Sequence, residues 1–211
     1  AEGYLAHLRK LCDDHGIVLI FDEVKTGFRL ANGGARDAYG VIPDISTYAK
    51  SLGNGYPVAA FGGKKEIMDK IGGGQIAHAG TFGANGSSMA AAKAVLDILD
   101  SSPVLADLAK RGEHLKTGMD KVLTEADIPH QMSGHPNMQG FLLTETPIKE
   151  VRDLVHHDAD TYLKIMTHLY ENGIWAEDDA REPWFLCEAH TAEIIAETLN
   201  KFEDAVNAAK D

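Results

Sequence analysis

The sequence has few cysteines, no long apolar run and too little positive charge to favour a polyanionic partner. Its two cysteines, Cys12 and Cys187, lie far apart and lack metal-site spacing, so we expect no metal and a reducing, cytoplasmic location. No apolar stretch approaches the ~20 residues of a membrane span, so we expect no membrane partner. The net charge of −12 also argues against nucleic acids and anionic membrane surfaces.

The chain is long enough for one large domain or two modest ones. It opens with Ala1-Glu2-Gly3 instead of methionine, and helical spacing of apolar residues starts almost at once. We therefore expect a fragment whose amino-terminal part is absent. A shift in composition predicts a domain boundary near residue 101, with residues 1–101 and 102–211 on either side.

Two short apolar segments each end in a charged residue. The run Ile17–Phe21 is typical of a strand covered on both faces, as in a parallel sheet, and Asp22 follows it. A second predicted strand, Ile45–Ala49, is followed by Lys50. Ligands bind beyond the carboxyl ends of such strands. Asp22 could there hold a metal, pair with a cation or accept a bond from a protonated ring nitrogen, or it could simply cap a turn.

The remaining pattern alternates helices with short strands. Residues 25–40 are glycine-rich and predict a loop, and Val58–Gly63 predicts a short buried strand. Apolar spacing and capping residues predict the other elements: helices over 4–15, 64–71, 87–99, 103–124, 157–171 and after Thr191, and strands within 128–145, 174–176 and 184–187.

Lys50 is the candidate nucleophile of the sequence. A lysine amine reacts with an aldehyde to form a Schiff base once burial or neighbouring positive charge lowers its pKa. An ordinary solvated surface lysine is the alternative. The position of Lys50, between a strand end and the glycine-rich turn Gly53–Pro57, favours the reactive interpretation.

Three segments together carry a family resemblance. They are Phe21–Arg29 (FDEVKTGFR), Tyr48–Pro57 (YAKSLGNGYP) and His78–Asn85 (HAGTFGAN). In this order and spacing they resemble the signatures of class III pyridoxal-phosphate aminotransferases, nearest to the glutamate-1-semialdehyde aminomutase-like branch. The resemblance covers nearly the whole chain and corresponds to the carboxyl-terminal half of an enzyme. It implies an α/β fold: part of a fold-type I large domain, with a mostly parallel sheet and helices, plus a small α+β carboxyl-terminal domain.

The resemblance also implies roles for four residues. Asp22 would pair with the pyridine nitrogen of pyridoxal phosphate, and Lys50 would form the Schiff base and then shuttle a proton. Val24 would pack on a ring face, although plain core packing is the alternative. Thr81 would bind the cofactor phosphate of a neighbouring subunit, which implies a homodimer. A threonine at a helix entry is the alternative for Thr81.

The implied reaction moves an amino group between a small-molecule amino donor and a keto acid or aldehyde. A glutamate-1-semialdehyde-type aminomutase is the alternative. The unusually polar segment 175–181 favours the aminotransferase. Asn54 and Gly86 depart from the family pattern, but they concern loop shape. Because the family's phosphate-binding turn lies upstream, we expect the isolated chain to bind the cofactor poorly, as judged by absorbance at ~420 nm.

Two further interpretations stay open at this stage. Asp22 and Glu23 could form the acidic strand end of a P-loop ATPase, with the aspartate on magnesium and the glutamate orienting water, but this leaves Lys50 unexplained. The chain could also be a non-catalytic relative that acts as a dimer partner. The role of Arg29 is open between binding a substrate carboxylate and bracing the loop, and the second is slightly favoured.

Overall fold

The computed structural model describes residues 3–210. The chain divides into two compact units, the first ending at Leu105 and the second beginning at Ala106. The sequence-based boundary near residue 101 remains a prediction about functional domains. Within residues 3–210, no helix is both long enough and apolar enough to cross a lipid bilayer.

The first unit carries a three-stranded sheet and four helices. The helices are α1 (Tyr4–His15), α2 (Ala35–Tyr39), α3 (Lys65–Gly72) and α4 (Gly86–Ser101), and the strands are β1 (Ile20–Asp22), β2 (Ile45–Tyr48) and β3 (Ala60–Gly63). The strand order is β1-β2-β3, with β1 parallel to β2 and β3 antiparallel to it. The parallel pair places the carboxyl ends of β1 and β2 at one edge of the sheet.

Three predictions for the first unit were wrong in detail. The strand predicted at Ile17–Phe21 is shorter and displaced to Ile20–Asp22, and Ile17 and Ile20 are 56% and 54% exposed. Burial alternates along β1, with Phe21 buried and Ile20 and Asp22 exposed, so among the described residues only one face of this strand is covered. The strand β3 is likewise not buried. The segment predicted as loop 25–40 contains the five-residue helix α2.

A buried carboxylate ties the ends of several elements of the first unit together. The Asp44 side chain pairs with Lys64 at 2.6 Å and with Arg9 of α1 at 2.9 Å. It also accepts a hydrogen bond from the backbone N–H of Leu19, just before β1, at 2.6 Å. The hydrogen bond from Lys64, with those from Leu19 and Arg9, holds the pKa of Asp44 far below its ordinary value.

Replacing Asp44 with asparagine is expected to lower the free energy of unfolding by about 2 kcal/mol at pH 7. Because the folded-state pKa of Asp44 is depressed, its stabilisation is fully present above the unfolded pKa of ~3.9 and is lost as the pH falls below that value. Urea unfolding at pH 7 and pH 3 measures this difference, which should shrink at pH 3. Asp107→Asn removes an exposed pair and is the control; a difference independent of pH contradicts the prediction.

The second unit combines an antiparallel sheet with three helices. The helices are α5 (Val104–Glu125), which begins at the end of the first unit, α6 (Ala159–Glu171) and α7 (Ala192–Ala209). The strands are β4 (Gln131–His135), β5 (Met138–Leu142) and β6 (Trp184–Phe185), in the order β4-β5-β6. A 3-10 helix spans Val151–His156. The strand predicted at 174–176 is wrong, since these residues form no strand.

The core of the second unit confirms the helical spacing of the sequence. The apolar positions predicted to face inward in α5, α6 and α7 are buried in one cluster with Phe141 and Trp184: Leu108, Leu115, Met119, Leu123, Tyr162, Ile165, Met166, Leu169, Ile195, Phe202 and Val206. Leu105 and Leu199, also predicted inward, are only partly buried. Thr191 caps α7 as predicted, with its side chain accepting from the N–H of Ile194.

Replacing Phe202 with alanine is expected to lower the free energy of unfolding by about 3–5 kcal/mol. The ring is fully buried and lies 5.5 Å from the Phe141 ring in a T-shaped contact, so its removal leaves a cavity among large neighbours. Chemical denaturation of the second unit, followed by tryptophan fluorescence, measures the change. Leu163→Ala on α6 is the control, because Leu163 is exposed. Equal losses in both variants would contradict the core assignment.

Candidate active site

The structure places Asp22 and Lys50 at the same edge of the first unit's sheet. Asp22 is the last residue of β1 and lies opposite Thr47 in the parallel register. The strand β2 ends one residue later at Tyr48, and Lys50 begins a 3-10 turn that runs to Leu52. Both side chains therefore follow the carboxyl ends of neighbouring parallel strands, where open α/β sheets bind their ligands.

The Asp22 carboxylate is oriented by two donors on one oxygen. Its Oδ1 accepts from the backbone N–H of Val24 at 3.0 Å and from the Thr47 hydroxyl at 3.2 Å. An ionised carboxylate has about four acceptor positions on its two oxygens, so Asp22 keeps capacity for a further N–H donor. Thr47 was missed by the sequence analysis. The parallel register of β1 and β2 identifies Thr47, because it places the Thr47 hydroxyl beside Asp22.

Lys50 adopts a backbone conformation that is uncommon outside glycine. Its φ is 41°, in the left-handed region, and its side chain is exposed. The Lys50 carbonyl accepts from the N–H groups of Gly53 and Asn54, at 3.1 and 3.0 Å, which closes the turn. Asn54 has φ 44°, so it occupies a conformation that asparagine tolerates better than most residues. This explains how the loop accommodates its departure from glycine.

Glu23 is a buried loop anchor and is not available to a ligand. It is 1% exposed, and its Oε2 accepts from the N–H of Ala35 at 2.6 Å and from the Thr26 hydroxyl at 3.1 Å. A glutamate that orients water in an ATPase must face the ligand. The burial of Glu23 therefore contradicts the ATPase interpretation of the Asp22-Glu23 pair.

Val24, Arg29 and Thr81 lie in loops and turns of the first unit. Val24 and Arg29 are half-buried in the loop after β1. Thr81 is exposed and lies in the turn before α4. The helix is capped by Asn85, whose side-chain oxygen accepts from the N–H of Ser88 at 3.1 Å, so Thr81 is not the capping residue. The phosphate-binding role of Thr81 remains a prediction.

Two histidines and two aspartates lie within residues 156–160, where the chain passes from the 3-10 helix into α6. Asp158 caps α6, accepting from the Thr161 N–H at 3.0 Å and from its hydroxyl at 2.7 Å, and these bonds lower the pKa of Asp158. The His157 Nδ1 accepts from the N–H of Leu143. Among residues 3–210, no group of three or more histidine, cysteine, aspartate or glutamate side chains could hold a metal ion.

Sequence comparison finds a family and close relatives. The chain matches the model of the family described as aminotransferase class-III over residues 1–206. It is 35% identical over 206 residues to the glutamate-1-semialdehyde 2,1-aminomutase of Methanosphaera stadtmanae, and the match covers 97% of this chain and 48% of that protein. It is 36% identical over 201 residues to the enzyme of the same name from Desulfatibacillum aliphaticivorans, covering 95% and 47%. The chain thus spans about half the length of the curated relatives it matches.

Solved structures of transaminases share the fold. An omega-transaminase from Sphaerobacter thermophilus matches with a TM-score of 0.86 and 28% identity, covering 99% of this chain and 48% of its own. The FumI protein of Sphingopyxis sp. MTA144, solved in its PLP internal aldimine form, matches with a TM-score of 0.84 and 26% identity, covering 97% and 46%. These matches confirm the predicted fold class, an α/β fragment of the fold-type I transferases. With the family match over residues 1–206, the chain belongs to the class-III aminotransferase family.

Proposed function

We propose that the whole protein is a pyridoxal-phosphate-dependent enzyme that transfers an amino group between a small-molecule amino donor and a keto acid or aldehyde. The observation that carries this proposal is the placement of Asp22 and Lys50 at the carboxyl ends of two neighbouring parallel strands. Membership in the class-III family supports it, and so does the similar FumI protein, whose structure was solved in its PLP internal aldimine form.

The side chains at this edge fit the chemistry of the cofactor. Asp22 offers a carboxylate with remaining acceptor capacity, as a protonated ring nitrogen requires. Lys50 offers a primary amine, as an aldehyde requires. When bound, pyridoxal phosphate supplies an electron-withdrawing ring that stabilises negative charge on a substrate carbon.

Each of the four predicted site residues would then have a defined task. Asp22 would accept the hydrogen bond of the ring nitrogen and so favour its protonated form. Lys50 would hold the cofactor through its Nζ, and the same amine would move a proton to and from the substrate carbon. Val24 would pack against a ring face, and Thr81 would donate its hydroxyl to the cofactor phosphate.

The proposal extends to domains, assembly and location. Residues 1–101 would belong to the cofactor-binding domain, and residues 102–211 would form the small carboxyl-terminal domain with its linking helix. Thr81 would act on the cofactor of the neighbouring subunit, so the protein would be a homodimer. The acidic charge and the two unpaired cysteines suit a cytoplasmic protein.

An aminomutase is the second candidate, and the sequence relatives favour it. The two relatives described above carry the name glutamate-1-semialdehyde 2,1-aminomutase, at 35% and 36% identity. We favour the aminotransferase because the polar segment 175–181, in which Arg181 pairs with Asp179, looks diverged from the mutase. Half-reactions of the whole protein with a panel of amines separate the two: release of a keto or aldehyde product supports the transferase.

Borohydride reduction followed by peptide mapping tests the proposed function. Reduction fixes the cofactor to the lysine that holds it, and the proposal expects a pyridoxyl group on Lys50 in the whole protein. Lys64 is the internal control, because its amine is paired with Asp44 at 2.6 Å. A pyridoxyl group on any lysine other than Lys50 overturns the assignment. A protein that takes up no cofactor supports the non-catalytic dimer partner instead.

A further inference from the structure

Three of the contacts that the structure describes join the loop that follows Asp22 to the segment that carries Lys50. Gly27 approaches Tyr48 so closely that an added Cβ would lie 2.6 Å from the Tyr48 ring. The Phe28 and Tyr48 rings lie 5.3 Å apart. The third contact is polar: the hydroxyl of Ser51 donates to the carbonyl of Gly27 at 2.8 Å.

The Ser51 hydrogen bond joins the turn that begins at Lys50 to the loop that follows Asp22. Ser51 is the residue directly after Lys50, in the 3-10 turn Lys50–Leu52. Gly27 is buried, and its N–H donates back to the carbonyl of Glu23, next to Asp22, at 2.9 Å. Two successive hydrogen bonds through Gly27 therefore link Glu23, the residue after Asp22, to Ser51, the residue after Lys50.

The Lys50 turn needs such support, because its conformation is costly. A non-glycine residue in the left-handed region persists where the surrounding structure holds it. Lys50 has φ 41°. The bonds from Gly53 and Asn54 to the Lys50 carbonyl close the turn on itself. The Ser51 bond fastens this turn to the loop after β1.

We propose that Ser51 is a positioning residue, which holds the Lys50 amine at a fixed place relative to Asp22 through its hydrogen bond to the Gly27 carbonyl. The inference rests on the proposed function, since it assigns Ser51 a task in the same site. Ser51 itself touches neither cofactor nor substrate. Its loss frees the turn and leaves a buried carbonyl without its side-chain donor.

Hydrogen exchange tests the structural half of this proposal. Ser51→Ala removes the hydroxyl and little else, and Ser51→Thr retains it. In the alanine variant we expect amide exchange at Leu52, Gly53 and Asn54 to be about 3- to 10-fold faster, and in the threonine variant to stay near that of the wild type. Ser133→Ala is the matched control, because Ser133 also donates its hydroxyl to a glycine carbonyl, that of Gly140, in the second unit. Unchanged exchange in Ser51→Ala overturns the proposal.

Kinetics of the whole protein tests the functional half. In Ser51→Ala we expect kcat of the amine half-reaction to fall about 3- to 10-fold with KM unchanged, and Ser51→Thr to restore it. A merely structural role would instead lower the melting temperature and leave kcat per folded molecule unchanged, which would overturn the proposal. A wild-type protein that transfers no amine contradicts the proposed function instead, and the exchange experiment still decides whether Ser51 fixes the turn.

Discussion

Replacing Lys50 with alanine is expected to lower kcat of amine transfer by about 10³- to 10⁴-fold in the whole protein. Two tasks are lost together: the amine that anchors the cofactor and the amine that moves the proton. The fold should survive, because the Lys50 side chain is exposed and the turn is closed through its backbone carbonyl. Single-turnover kinetics, with the cofactor added in excess, measures the loss.

A control variant and rescue by an added amine test whether the loss of rate is specific to Lys50. Lys65→Ala removes another exposed lysine of the first unit, one that pairs with Asp69 on α3, and should leave kcat unchanged. A small primary amine in the buffer should restore part of the rate of Lys50→Ala, since it can carry the proton in place of the missing side chain. A Lys50→Ala variant with wild-type kcat would refute the role of this lysine.

Replacing Asp22 with asparagine is expected to lower kcat by about 10²- to 10³-fold. Asparagine has nearly the same shape and can still accept from Val24 and Thr47, but it carries no charge to keep a ring nitrogen protonated. The ring then withdraws electrons less strongly, and the substrate carbon loses its proton more slowly. The rate of substrate proton exchange, followed by NMR, measures this step directly.

Asp37→Asn is the control for Asp22→Asn. Asp37 is exposed on α2, and its carboxylate pairs with the neighbouring Arg36. Its replacement should leave proton exchange at the wild-type rate. Asp22→Glu, which keeps the charge but extends the side chain, should retain more activity than asparagine. If Asp22→Asn and Asp37→Asn show the same rate of proton exchange, Asp22 does not act on the ring nitrogen.

The second unit could be predicted well because its core is enclosed by its own helices. In α6 the residues Tyr162, Ile165, Met166 and Leu169 recur at helical spacing, and all four are buried. The spacing of apolar residues in α6 therefore predicts which face of the helix is buried. The helix start followed equally from a local signal, since Asp158 precedes α6 and caps it.

The first unit could be predicted less well, because its apolar residues do not mark a closed core. The run Ile17–Phe21 has the composition of a strand covered on both faces, but in β1 only the face that carries Phe21 is buried. The composition of a strand does not show how its two faces are packed in the fold. The helix α2 was missed because five residues are too few to establish a helical period.

The placement of Asp22 and Lys50 was predictable from the sequence, whereas the placement of the residues that support them was not; the roles of Asp22 and Lys50 stay predictions. Asp22 and Lys50 follow from one rule, that parallel strands present their carboxyl ends at one edge. Thr47 and Ser51 depend on register and on the path of a loop, which the sequence does not state. The bond from Ser51 to Gly27 joins residues 24 positions apart, and no local pattern announces it.

A crystal structure of the whole protein with bound pyridoxal phosphate tests the central claim most directly. The account predicts one coenzyme held at both ends by this chain, with an Asp22 oxygen within ~3 Å of the ring nitrogen and the Lys50 Nζ bonded to the former aldehyde carbon. A ring nitrogen that faces a different side chain, or a coenzyme attached to a different lysine, would contradict it.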